Sequence, residues 1–280
     1  MFGKKQGPSG ADTSKDSPPT APVNNFPWQP QSNITGNLAV GNLRINLLER
    51  LRNERGVHAE TLMVAIGALA GFAAQNAALG RVAATLINKE ELPKTSLVLG
   101  QISGETYLVG DWINTFLFND PGSQLTLYKM AGATAMQAGG IQMKDLPDFK
   151  EMVEHVVRTM GKTEFGRIRA PSGHQPALQP VEALKILWPF ACKILTLPLP
   201  KGIPSGIEPP LQESHWPVVI SFVAAQLIGW AKEALNPRIS YALAMESAII
   251  TAKINPQIIE PGKWKIEASA GKLMVERLMN

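Results

Sequence analysis

Between Leu62 and Leu79 the chain reads LMVAIGALAGFAAQNAAL, eighteen residues without a charge, in which Gln75 and Asn76 are the only clearly polar side chains. No stripe is set aside for water, so a helix built from this run has to be covered on nearly all sides. The run reaches the lower length limit for crossing a bilayer, and Gly67 with Gly71 forms the pair of small residues that lets membrane helices approach closely. Seven of the eighteen residues are alanine, a weak hydrophobe, and Gln75 and Asn76 would be costly in lipid. The flanks also lack the aromatic belts of a spanning helix. The segment therefore predicts a buried central helix and no membrane span. The same close packing would also suit a homodimer.

At 280 residues the chain can bury a large core without disulfides. Its one cysteine, Cys192, excludes an internal disulfide and fits a reducing compartment. The first residues, MFGKKQGPSGADTSKD, contain no apolar stretch that would serve as a secretory signal, and the expected location is cytoplasmic. Residues 150–201 hold 8 basic against 4 acidic side chains and so carry the whole net charge of +4. That excess is too thin for a nucleic-acid-binding stripe, and no nucleic-acid partner is expected. It suits a local anion site.

Residues 1–36 are rich in Pro, Ser, Gly, Gln and Asn and lack periodic apolar residues, which predicts a disordered N-terminal arm. Within it, Phe26-Pro27-Trp28 is a patch able to dock on the domain or on a partner. Residues 37–262 read as a mainly α, multi-helix globular domain with one small β-hairpin, and 263–280 as an amphipathic C-terminal tail. The first helix is expected from about Asn42 to Gly56. The second runs from His58 to Ile87, with Gly80 as a point where it breaks. Thr95–Leu99 and Glu105–Val109 are β-rich, with Gly100, Ser103 and Gly104 between them, and form the hairpin. A helical turn follows at Asp111–Phe118, then a helix opened by Asp120-Pro121 and running to about Gln137.

From Leu146 to Met160 the apolar residues Phe149, Met152, Val153, Val156, Val157 and Met160 share one helical face. Asp145 is the expected cap, Pro147 lies in the first turn, and Gly161 ends the helix. Residues 162–179 form a loop, and Pro180–Leu195 a helix that Pro189 kinks or divides. Five prolines make 198–213 irregular. Helices then run from His215 to Leu235, capped by Ser214, and from Pro237 to about Ile254.

The loop after Gly161 brings together Lys162, Arg167, Arg169, Ser172 and His174. Guanidinium forks match phosphate and carboxylate geometry, and a histidine nearby adds a hydrogen bond. Lys162, Arg167, Arg169 and His174 are therefore the candidate ligand-binding residues for a small anionic ligand. A solvated loop whose glycines and prolines only set its path is the competing reading. Glu246 interrupts the apolar run around Tyr241–Ile250, where burial perturbs a carboxyl, and with Asp111 it is the candidate acid or base. His155, four residues after Glu151, lacks the zinc spacing H-E-x-x-H and is expected to be structural, while Glu60 suits a helix start. No catalytic triad, P-loop or dinucleotide fingerprint is present, and no metal site or cofactor is expected.

Four short signatures, Gly110-Asp111-Trp112-Ile113-Asn114, Gly173-His174-Gln175-Pro176, His215-Trp216-Pro217-Val218 and Met245-Glu246-Ser247-Ala248-Ile249, together resemble a group of uncharacterised bacterial proteins of similar length. The likeness spans roughly residues 40–255 and implies a bacterial cytoplasmic protein. It implies no activity and no site residue. Two functions follow from the residues themselves. One is a non-enzymatic interaction or structural protein, homodimeric through the small-residue helix. The other is a binding protein or enzyme for a small anionic ligand, which requires Arg167, Arg169 and His174 to converge on one pocket.

Overall fold

The computed structural model describes residues 34–119, 125–197, 211–269 and 272–278. The arm up to residue 33 with Phe26-Pro27-Trp28, the Asp120-Pro121 helix start, and the prolines between 198 and 210 lie outside the described residues. The fold is mainly α, with helices α1 (Ile34–Leu51), α2 (Ala59–Ile87), α3 (Asp111–Leu117), α4 (Leu127–Gly139), α5 (Phe149–Thr159), α6 (Pro180–Leu195), α7 (Trp216–Ala231) and α8 (Pro237–Thr251). Among the described residues, strands occur as three antiparallel pairs: β1 (Arg52–Asn53) with β2 (Gly56–Val57), β3 (Val98–Ile102) with β4 (Glu105–Val109), and β5 (Trp264–Ser269) with β6 (Lys272–Arg277).

Helix α2 is the axis of the domain. Helices α1, α3, α6, α7 and α8 and strand β6 all pack on it, and its apolar window is entirely buried. It is long and apolar enough to cross a membrane, but the covering its composition requires comes from the rest of the chain. Gly67 and Gly71 explain how α8 comes so near. A Cβ at Gly67 would overlap the backbone of Ala244, and one at Gly71 would overlap the Ala248 carbonyl and the Thr251 hydroxyl. The contact is tied by two hydroxyls, with Ser247 donating to the Val64 carbonyl at 2.7 Å and Thr251 donating to the Ala68 carbonyl at 2.9 Å. The glycine pair is thus used inside one chain, against α8.

The two polar residues of the Leu62–Leu79 run have separate tasks. The Gln75 amide donates to the carbonyls of Ala252, at 3.1 Å, and Ile254, at 2.7 Å, satisfying backbone acceptors where α8 ends. The Asn76 carbonyl oxygen accepts from Lys263 Nζ at 2.8 Å and from Trp264 Nε1 at 3.1 Å, fastening the start of the last hairpin.

Several element boundaries differ from the sequence expectation. Helix α1 already includes Ile34, ahead of Asn42, and α2 runs unbroken through Gly80. In the β3–β4 hairpin the two-residue turn is Ser103-Gly104, with φ of 53° and 82°. Such a turn sets the register, so Ile102 pairs with Glu105 and Gly100 lies within β3. Thr95 and Ser96 are instead used to accept the amides of Asp111 and Trp112 at the start of α3. Helix α4 begins at Leu127 under a Thr126 cap. Helix α5 starts at Phe149, because Asp148 accepts the Lys150 amide at 2.8 Å, while Asp145 closes a preceding 3-10 turn by accepting the Gln142 amide. Helix α6 continues through Pro189, and α7 starts at Trp216, after a 3-10 turn at Glu213–His215. The tail beyond Lys263 is the β5–β6 hairpin, with Trp264 and Val275 buried against the domain.

Candidate functional site

The residues singled out in the sequence are distributed over separate places. Glu246, on α8, is only 3% exposed and receives the Arg169 backbone amide and Nε, each at 3.2 Å. Glu151 takes a second nitrogen of the same guanidinium at 3.3 Å, and His155 Nε2 stands 3.8 Å from Glu246. Two candidates thus meet each other, as an ion pair that fastens the 162–179 loop to α8. Burial pushes the Glu246 carboxyl up, against the opposing pull of Arg169. Burial, reinforced by the charges of Arg169 and Arg158, pushes His155 down.

His174 lies elsewhere, with Nδ1 2.9 Å from Glu60 at the first turn of α2, where His58 Nε2 also approaches Glu60 at 3.2 Å. Burial would raise the Glu60 carboxyl, but the His174 hydrogen bond and the α2 backbone outweigh it and hold the group below its ordinary value. Lys162 and Arg167 are exposed and make no ion pair among the described residues, and Asp111 is exposed at the start of α3. Arg169 and His174 thus engage different carboxylates, and of the two candidate arginines the one held by ion pairs, Arg169, is already paired with Glu246 and Glu151. Among the described residues no three His, Cys, Asp or Glu side chains cluster as metal donors.

A different place does gather chemistry. A cleft of about 760 Å³ opens between α2, α6, the start of α7 and the C-terminal hairpin. Its floor is the one side of α2 that carries Ala77, Gly80, Arg81 and Ala84, and its walls include Phe116, Cys192, Thr196 and Trp216. Charged groups enter from three segments. Lys263 Nζ sits between Glu260, at 3.0 Å, and Glu213, at 3.2 Å, and with Asn76 these acceptors use its three protons. Glu213 also pairs with Arg277, whose guanidinium lies 5.0 Å from the centre of the Trp264 ring.

Gly80 has a reason here, since a Cβ on it would come within 3.2 Å of Glu213 Oε2. The Arg81 guanidinium lies over Trp112, 4.4 Å from the ring centre, and makes no ion pair among the described residues. Cys192 Sγ is 3.9 Å from Glu260 Oε1, and burial together with the Glu260 charge pushes the thiol up to about 11, so at neutral pH it is protonated and a poor nucleophile.

Sequence reading missed this cleft because its residues come from five separate stretches, around 76–84, 112–116, 192–196, 211–216 and 260–277. The available signals were Asn76 and Gly80, a polar residue and a glycine four apart on one side of a largely apolar helix. Another buried group also went unnoticed. Lys253, just after α8, is 7% exposed, and burial pushes its amine down to about 8. No family model, no curated protein and no solved structure matches the chain. Function has to be read from the geometry alone.

Proposed function

We propose that this protein binds a small anionic metabolite, bearing carboxylate or phosphate, in the cleft between α2, α6, α7 and the C-terminal hairpin. The observation that carries this reading is a cleft of ligand size rimmed by two arginines, Arg81 and Arg277, that retain guanidinium donors. Both are held by stacking on indoles, which limits the side-chain entropy lost when a ligand is gripped. Lys263 is saturated by Asn76, Glu213 and Glu260 and serves to position the rim rather than to contact the ligand. The apolar faces of Trp216 and Phe116 complete a pocket for a ligand with a hydrophobic body. The thiol that lines the cleft is protonated at neutral pH and a poor nucleophile, so the reading is one of binding without a covalent step.

The test is a thermal-shift and calorimetric screen of phosphorylated and carboxylated metabolites against the wild type, Arg81→Ala, Arg277→Ala and Arg169→Ala. The expected result is binding that either cleft variant weakens roughly tenfold or more, as loss of a charge-assisted pair does, and that Arg169→Ala leaves unchanged. Binding lost only in Arg169→Ala would return the site to the 162–179 loop. An absence of binding across the screen would argue against a metabolite site.

A further inference from the structure

Helix α1 carries two apolar stripes, and the described residues bury only one of them fully. Ala39, Val40, Leu43 and Leu47 are buried against the domain. On the outer side Leu38 is 41% exposed and Ile45 50% exposed, with Gly41 and Leu48 half-buried between and beyond them, and Ile34, 43% exposed, in line before them. The steps along this outer line are four, three, four and three residues. That is the alternation of a coiled-coil seam over two heptads, in which Leu38 and Ile45 take one core position and Ile34, Gly41 and Leu48 the other. Singly exposed apolar residues are ordinary on a surface, but a run in heptad phase is not. Trp230 of α7, 59% exposed and stacked on Arg44 at 4.6 Å, borders the same face.

Gly41 sharpens the point. A glycine inside a helix costs about 1 kcal/mol relative to alanine. At Gly67 and Gly71 the fold demands it, but a Cβ on Gly41 would meet nothing within 4 Å. Nothing in the described residues of this chain needs the missing side chain, whereas a helix lying on the seam would approach more closely for it.

We propose that this face binds a second copy of the chain, through α1 helices running parallel in a two-fold dimer. The charges flanking the seam select this occupant. In a parallel pair each residue at one flank faces the partner residue five positions later on the other flank. Arg44 then faces Glu49 of the partner, and the two-fold axis makes this ion pair twice. Glu49 is exposed and makes no ion pair among the described residues, so it is available to the partner. This interface is separate from the cleft and does not depend on ligand binding.

Sedimentation velocity of the full chain across roughly 1–100 µM, the range of a short interface, is the decisive measurement. The wild type is expected to pass from its monomer mass of 30.3 kDa to twice that value. Ile45→Glu should abolish the dimer without altering the circular dichroism melt. Arg44→Glu and Glu49→Arg should each weaken it roughly tenfold, through two repulsive pairs, and the double exchange should restore it. Because Arg44 also holds Gln226 and Trp230, Glu49→Arg is the cleaner single variant. A monomer at every concentration, a dimer that survives Ile45→Glu, or a double exchange no better than Glu49→Arg alone would each overturn the proposal.

Discussion

The two sides of α2 use small residues for opposite ends. Gly67 and Gly71 face α8, and there the absent side chains let two backbones touch, with the hydroxyls of Ser247 and Thr251 filling what remains. Ala77, Gly80 and Ala84 lie toward the C-terminal half of the same helix, and there the short side chains leave space that Lys263, Glu213 and Glu260 surround without filling. Small residues thus close a gap in the first half of the helix and open one in the second. A small residue in a helix states only that bulk is excluded, and the neighbour decides whether backbone or solvent takes its place.

The largest effect that would test this contrast is expected at the closed side. Gly71→Leu forces a side chain into the Ala248 carbonyl and should destabilise the protein by about 3 kcal/mol or more, lowering the melting temperature by ~10 °C or leaving the chain insoluble. If it melts like the wild type, α2 and α8 are not in backbone contact.

Lys253, beyond the end of α8, tests what the closed side charges for an ionisable group. Its folded value of about 8 lies below the ordinary 10.5, so between those values the unfolded chain binds more protons than the folded one. Stability from this group therefore rises with pH across about 8 to 10.5, and below 8 the cost of charging a buried amine is present in full. Lys253→Met should stabilise the protein at pH 7 by on the order of 1–2 kcal/mol, an advantage that shrinks toward pH 10.5. Denaturant melts of both proteins at several pH values would read this, and a constant difference would show that the amine is not buried.

The smallest effect on stability is expected at the open side. Gly80→Ala brings a methyl group within 3.2 Å of Glu213, which can yield because it stands at the edge of the cleft. Gained helix propensity offsets the crowding, and the net change should stay within about 1 kcal/mol. Any ligand of the cleft should nevertheless bind more weakly, so the variant separates folding from binding. A loss of stability as large as that of Gly71→Leu would erase the difference between the two sides.

Much of the fold was legible because its strongest signals are local. The uncharged run of α2, the apolar face of α5, and the break at Asn236-Pro237 are each set by residues a few positions apart. The boundaries that shifted did so where two local solutions compete. Asp145 and Asp148 can both cap, and each is used, one for a 3-10 turn and one for α5. The β5–β6 hairpin was read as an amphipathic tail because short segments of alternating residues give a weak signal, and Trp264 becomes a core residue only through Asn76, 188 positions away.

The candidate site was less legible still. Arg169 and Glu246 were both identifiable as unusual, yet nothing local reveals that they are partners, 77 residues apart, and that the arginine is thereby neutralised. A charge in a sequence is only a charge; whether it is spent on the fold or offered to a ligand depends on which group of opposite sign arrives beside it.

By itself the sequence determined that one helix must be buried on every side, that α5 would present a single apolar face, and roughly where most helices lie, because periodicity, caps and proline act over a few residues. Only the tertiary structure decided which neighbour meets the glycines of α2, which arginines keep free donors, and that a cleft lies beside Asn76 and Gly80. Those outcomes depend on contacts between residues distant along the chain, whose positions are set by the packing of the whole core.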